Sequence, residues 1–289
     1  MVIEDIGVST VAWDGHGWDV CFESLAEIGV ARVEPAYISG YVDFTEDDFS
    51  SANAARLRRS IASHGLRPGA ISGHTDMGAA DAVEKLARRL AFAAEVGANA
   101  LVTNAAQRKS EPAFRHALDS ALPLAEAAGV ILALENPGHG NDALLASGAD
   151  GAVLVKAMSS PWLRLNYDVA NAATYSRGQI DLAADAAAAL PWCAQVHLKD
   201  YDTRTAAWSF PALGAGELDV AGFAELVRAC AIAPSVALEL PLRLVRPDGG
   251  DPTRVAHTIA PSEIREAVRV SIKAWSRALS PHAQSALSD

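Results

Sequence analysis

Four residues between positions 135 and 239 have the types and spacing of a cation site. They are Glu135 in "ILALENPGHG", Asp168 in "LNYDVAN", His197 in "QVHLKDYD" and Glu239 in "VALELP". Each closes, or nearly closes, a short aliphatic run of the kind that forms a buried strand. A buried carboxylate without a partner is costly, or shifts its pKa until it is neutral. Glu135 must therefore meet water, a cationic side chain or a metal. The intervals between the four are 33, 29 and 42 residues, about one strand–helix unit each. In a parallel barrel, strands at that interval set their C-terminal ends side by side around one mouth. Three carboxylates in one small volume resist ionising together, and a divalent cation removes the conflict. Taken singly, each is an ordinary loop charge or a satisfied core histidine; the joint placement carries the reading. Three oxygen donors and one imidazole suit one divalent ion, Mn²⁺ first, with Mg²⁺ or Co²⁺ as alternatives, over a thiolate-type zinc site.

Eight strand-like runs are available to position these residues: 5–10, 31–35, 68–73, 99–104, 130–136, 163–168, 194–200 and 235–240. Ala-, Leu- and Glu-rich stretches with helical spacing lie between them. Three of these, 18–29, 81–97 and 111–129, end on Gly29, Gly97 and Gly129, the usual residue just past a helix end. Strand and helix in strict alternation predict a parallel sheet. Eight repeats in 289 residues favour a single (β/α)₈ TIM barrel over an open doubly wound sheet. No G-x-G-x-x-G follows the first strand, which weakens a dinucleotide-binding alternative. The barrel is expected over 1–278, ending with a helix at 261–275, and 279–289 as a short frayed tail.

Composition narrows the function classes. The net charge is −11, from 24 basic and 35 acidic residues, which argues against nucleic acid and anionic membrane as partners. It suits a protein that handles a small molecule. Cys21, Cys193 and Cys230 form no CxxC pair and no even framework, as in a reducing compartment. No signal peptide and no apolar run of membrane-spanning length are legible, so the expected location is cytoplasmic.

"ALEN", "NYDVAN", "VHLKD", "GAGELDVAGF" and "ALELP" resemble the sugar phosphate isomerase/epimerase superfamily, a xylose-isomerase-like TIM barrel. The resemblance covers most of the chain and is firmest from 130 to 241. It implies that Glu135, Asp168, His197 and Glu239 are metal ligands, and that Glu135 and Glu239 also move protons. The chemistry needs those types. A proton beside a ketone is weakly acidic, a metal on the carbonyl oxygen stabilises the enediolate, and carboxylates remove and return the proton. The resemblance therefore implies a metal-dependent isomerase or epimerase acting on a keto-sugar or cyclitol. Two departures bear on the branch. Ketose 3-epimerases have a histidine where Asn171 stands and an arginine where Thr203 stands; "HLKD", with Lys199 and Asp200, looks more like the inosose-handling branches.

Further candidates for substrate contact sit at other strand ends. Trp13 and His16 follow the first strand, His74 and Asp76 the third, Asn104 and Gln107 the fourth; His139 follows Glu135, and Asn171 follows Asp168. Lys199 is read either as a donor to substrate or as a salt bridge to Asp200 or a barrel carboxylate. Arg243 and Arg246 are read as meeting an anion or as solvated. The chief rival function is a lyase or dehydratase that shares the first proton abstraction and then expels a β-substituent, as in inosose or 3-dehydroshikimate dehydration or 3-keto-glycoside cleavage. An endonuclease IV-type nuclease on the same barrel needs further histidines, one of them at Asn171, and is opposed by the net charge. A non-catalytic subunit is opposed by the complete ligand set. A homo-oligomer or a partner subunit is left open.

Overall fold

The computed structural model describes residues 6–280. Its strands in chain order are β1 (Ile6–Ser9), β2 (Arg32–Glu34), β3 (Ala36–Tyr37), β4 (Arg67–Pro68), β5 (Ile71–Gly73), β6 (Ala100–Asn104) and β7 (Ile131–Glu135). They continue with β8 (Leu163–Asp168), β9 (Cys193–Leu198), β10 (Ala207–Ser209), β11 (Ser235–Leu238), β12 (Leu244–Pro247) and β13 (Thr253–Arg254). The helices are α1 (Trp18–Ile28), α2 (Ser51–Ser63), α3 (Ala82–Val96), α4 (Glu111–Ala128), α5 (Gly148–Met158), α6 (Val169–Ser176), α7 (Leu182–Ala189), α8 (Val220–Ala229) and α9 (Pro261–Leu279).

Ten parallel segments form one curled sheet in the order β3-β5-β6-β7-β8-β9-β11-β1-β2-β4. The two ends of this order are halves of the same staves. Pro35, which has no N–H to give the ladder, splits the second stave into β2 and β3. The third splits likewise between β4 and β5. Arg32 pairs with Arg67 below the break, and Ala36 with Ser72 above it. Ten segments are thus eight staves closed into a barrel. The chain elsewhere follows the expected alternation. Gly29, Gly97 and Gly129 end α1, α3 and α4 with φ of 85°, 92° and 66°, a conformation that costs glycine little. The final helix runs to Leu279, four residues past the expected end; positions 281–289 of the expected tail lie outside the described residues.

One feature was absent from the sequence reading. β10, β12 and β13 form a separate antiparallel sheet from residues that follow β9 and β11, at the mouth. Arg246 on β12 donates to the carbonyls of Gly249 and Gly250 at 2.8 Å each, and to Gly138 in the loop after Glu135. Its guanidinium also lies 5.1 Å from the Trp208 ring. Arg243 reaches the Asp14 carboxylate at 2.7 Å, and Arg254 reaches both Asp14 and Asp43. Arg243 and Arg246 are thus consumed by internal contacts.

The loop after β9 is organised by one carboxylate. Asp200 is fully buried and accepts from the backbone N–H groups of Tyr201, Gly214, Gly216 and Leu218 at 2.8–3.0 Å. A Cβ on Gly216 would lie 2.3 Å from the Asp200 carboxylate, so the turn closes only around glycine. This loop carries Phe210, whose ring lies 5.6 Å from the Lys199 ammonium. Asp200→Ala leaves four amides without their acceptor. It should destabilise the protein by at least ~3 kcal/mol, since a bond to a charged acceptor contributes about 1.5–3 kcal/mol. Urea unfolding followed by circular dichroism measures this; a change within ~0.5 kcal/mol, as for an ordinary surface substitution, would contradict it.

Candidate active site

The parallel register brings the four residues together. Glu135 ends β7, Asp168 ends β8, His197 is the penultimate residue of β9, and Glu239 directly follows β11. Asp168 lies opposite His197, and His197 opposite Ala237, two residues before Glu239. All four side chains are buried, and one ligand-capable atom from each lies within 4.8 Å of the others.

The geometry around His197 shows what this cluster lacks. Its Nε2 lies 2.9 Å from Glu34 Oε1, a carboxylate oxygen that accepts a proton. Its Nδ1 points toward oxygens of Glu135 at 3.4 Å, Glu239 at 3.7 Å and Asp168 at 4.0 Å, and makes no hydrogen bond. Glu135 Oε2, Asp168 Oδ2 and Glu239 Oε1 are likewise buried without one. A neutral imidazole with its proton on Nε2 would aim a lone pair at three carboxylates. Either a second proton or a cation must lie between them. Burial alone would lower the His197 pKa, but Glu34, Glu239 and Glu135 outweigh it and raise it well above the ordinary value. A divalent ion answers the same need with twice the charge. These unsatisfied oxygens and the free imidazole nitrogen fit a hard divalent cation.

Lys199 supplies part of the missing charge. It is buried, with Nζ 2.7 Å from Glu239 Oε2 and 2.6 Å from Asp168 Oδ2. The second contact is a short ion pair outside hydrogen-bond geometry, since Asp168 Oδ2 is also among the unbonded atoms. Lys199 pairs with barrel carboxylates and not with Asp200, which is engaged elsewhere. Burial raises the Asp168 pKa to about 6, against the opposing effect of Lys199.

Asn171, expected to contact substrate, borders the cavity at Glu135 and is also held by hydrogen bonds within the site. Its Nδ2 donates to Glu135 Oε1 at 3.0 Å and to the Asn136 carbonyl at 3.1 Å. Its backbone N–H donates to Asp168 Oδ1, the N-cap of α6. It therefore orients two of the acidic residues, although it also lines the cavity beside them. That cavity has a volume of about 170 Å³ and is bordered by His74, Asn104, Glu135, His139, Lys199 and Glu239, among others. His74 Nε2 lies 3.1 Å from Glu135 Oε2. The carbonyl of His74 accepts from the buried Arg89 at 2.6 Å, which pins the turn after β5. Burial first, then the charge of Arg246, lowers the His139 pKa, keeping the ring neutral near pH 7.

Trp13 and His16, expected at the substrate, line a different cavity that shares no residue with the one at Glu135. The cause is the 3-10 turn Thr10–Trp13 directly after β1. It folds Trp13 into the main core, and His16 Nε2 bonds the Ile259 carbonyl at 2.8 Å.

Two residues at the site were missed by the sequence reading. Tyr41 borders the cavity, and burial keeps its phenol protonated well above its usual range. Glu34 is the carboxylate behind His197. It also accepts from Ser72 Oγ at 2.7 Å and from Gln195 Nε2. The signal for Glu34 was in the sequence: "ARVEP" is a short apolar strand that finishes on a glutamate, as "ILALE" does.

A family described as xylose isomerase-like TIM barrel matches residues 22–269. No curated protein matches the sequence. Several solved structures are similar. An L-ribulose 3-epimerase aligns at 18% identity over 97% of this chain and 96% of its own, with a TM-score of 0.69. A D-psicose 3-epimerase from Clostridium cellulolyticum H10, solved with D-tagatose, aligns at 12% identity over 95% and 99%, with a TM-score of 0.73. A 3-keto-D-glucoside 4-epimerase from E. coli aligns at 16% identity over 91% and 97%, with a TM-score of 0.66. At these identities the shared property is the fold. Among the described residues no helix is long and apolar enough to cross a membrane.

A carboxylate behind a ligating histidine fixes its tautomer, and its loss commonly weakens metal affinity about 10–100-fold. Glu34→Gln should reduce Mn²⁺ affinity by that factor in isothermal titration while the far-ultraviolet circular dichroism stays that of the parent. Unchanged affinity would show that the contact with Glu34 does not orient His197.

Proposed function

The chain belongs to the xylose isomerase-like TIM-barrel family, and within it we propose a divalent-metal-dependent isomerase or epimerase that acts on a keto-sugar or cyclitol. The observation that carries this reading is the convergence of Glu135, Asp168, His197 and Glu239 in one buried cluster, each with an atom lacking a hydrogen bond. These four would hold the cation, with Mn²⁺ favoured by the oxygen-rich donor set. When bound, the ion would supply Lewis acidity toward a substrate carbonyl oxygen. The sugar chemistry named for the three structural neighbours described above, each an epimerase, supports the substrate class.

The two glutamates have different surroundings and so different tasks. Glu135 Oε1 is oriented by Asn171, and its Oε2 lies beside His74. Glu135 is the base that takes the proton next to the carbonyl, leaving an enediolate, and His74 can pass that proton on. On the other side, Glu239 Oε2 is held by Lys199, so Glu239 and Lys199 act there as a pair. Lys199 is the group there with protons to donate. Asn104 and His139 are placed to bond substrate hydroxyls. The ligand is small and uncharged in the reacting part, and the net charge of −11 opposes a nucleic-acid partner.

Lys199 also favours a second reading. Expulsion of a β-hydroxyl or alkoxyl group builds charge on the leaving oxygen, and a buried ammonium at the cavity wall can stabilise it by hydrogen bonding. Product analysis separates the readings, because elimination releases water or an aglycone and epimerisation releases nothing.

Keto-hexoses and inososes incubated in D₂O with Mn²⁺ should take up deuterium at the carbon beside the carbonyl. Removing the metal with a chelator should stop uptake, and Mn²⁺ should restore it. Glu135→Gln should slow exchange by the ~10²–10⁴-fold that a general base contributes with a smaller loss of bound metal. His74→Ala should slow exchange while metal content stays near one per chain. Exchange at the parent rate in Glu135→Gln would place the base elsewhere.

A further inference from the structure

The cavity at the metal cluster does not end there. A second chamber of about 490 Å³ adjoins it and shares Asp76, Asn104, Glu135, Pro137 and His139 as a common wall. The inner cavity, about 170 Å³, is smaller than the ~300 Å³ at which sites for drug-sized molecules begin, and the two together fall within that range. A keto-sugar confined to the inner cavity leaves the outer one to water.

The outer chamber is held in shape by backbone hydrogen bonds. Gln107 and Ala143 form an antiparallel bridge between the segments that follow Asn104 and Glu135. Leu144 N–H donates to the Ala106 carbonyl and Arg108 N–H to the Asp142 carbonyl, both at 2.8 Å, and Ala143 N–H donates to the Tyr175 hydroxyl at 2.9 Å. Arg246 fixes the same loop at Gly138. A preformed chamber lowers the ordering cost of filling it.

The chemistry of the lining selects the occupant. The amides of Gln107 and Asn141 sit among apolar surface from Ala106, Ala143 and Leu145, with Asp76 and Asp251 as further charges. No lysine or arginine is among the lining residues. Carboxylates without a cation disfavour a phosphate or carboxylate and suit a neutral ring with hydroxyls.

We infer that the substrate is an extended keto-sugar, whose reacting ring occupies the inner cavity and whose neutral glycosyl or aglycone substituent occupies the outer chamber between Gln107, Asn141, Ala143 and Leu145. This rests on the isomerase reading above and names the substrate class within it. The substituent contributes binding remote from the reacting carbon, so it raises kcat/KM without altering the chemistry at Glu135.

The test compares deuterium uptake by 3-keto-hexoses, their phenyl glycosides and their 6-phosphate esters on the Mn²⁺-loaded enzyme. The glycosides should have kcat/KM at least about tenfold above the free sugars, and the phosphates should gain nothing. Ala143→Phe, which fills the chamber, should collapse that preference, lowering kcat/KM for the glycoside at least about tenfold more than for the free sugar. Asn141→Ala removes one amide without adding bulk and should reduce the preference less. Thermal unfolding of each variant reports whether it is folded. Uptake with equal efficiency for sugar and glycoside, or equal losses in Ala143→Phe, would overturn the chamber assignment while leaving the isomerase reading intact. Preference for the phosphate would overturn the neutral substituent. No uptake with any of these compounds would overturn the isomerase reading and the chamber assignment together.

Discussion

The mouth of this barrel is governed by a charge imbalance that its own side chains do not cancel. Glu34, Glu135, Asp168 and Glu239 are buried around His197, and Lys199 is the one buried lysine set among them. Two like charges 4 Å apart repel by about 4 kcal/mol at an effective dielectric near 20. Several such pairs together are too costly for a protein of ordinary stability unless protons or a cation intervene. The fold holds the carboxylates in place through strand register and through Asn171, Asn136 and Gln195. The same rigidity keeps the carboxylates close enough that the group could hold a metal ion.

That imbalance is distributed unevenly. On the side of β7, Glu135 has an asparagine on one oxygen and a histidine near the other. On the side of β11, Glu239 is bound to an ammonium. Two residues with the same side chain are therefore given opposite inclinations, one toward accepting a proton and one toward a neighbour that gives it. Glu135, Lys199 and Glu239 border one cavity, so two differently paired carboxylates face it from different staves.

Much of this was legible in the sequence because it depends on period and position. Glycine-ended helices and aliphatic runs of strand length fixed the alternation, and the alternation placed Glu135, Asp168, His197 and Glu239 on successive staves. What stayed hidden depends on tertiary contact. Nothing local in "RVEP" says that Glu34 meets a histidine 163 positions away, although a carboxylate at a strand end was itself the signal. Trp13 was expected at the substrate, but a single 3-10 turn carried it into the core. Asn171 was noticed as a departure from a family pattern, and its contact with Glu135 became visible only once α6 was set on Asp168. The β10–β12–β13 sheet was missed because its strands are short, two to four residues each, and lie in segments rich in arginine, proline and glycine.

The closure of the sheet has a consequence for how the molecule is made. β1 at Ile6–Val8 pairs with β11 at Val236–Leu238, so an early strand of the barrel waits for a late one. Until then β1 and β9 each present an unpaired edge, the template for association with another chain. Glu239 and the Arg246 clamp arrive in the same late stretch. The nascent chain therefore completes its sheet, the Glu135–Glu239 cluster and the brace over the loop after Glu135 in a single step, and protection of those edges by chaperones matters most in the interval before it.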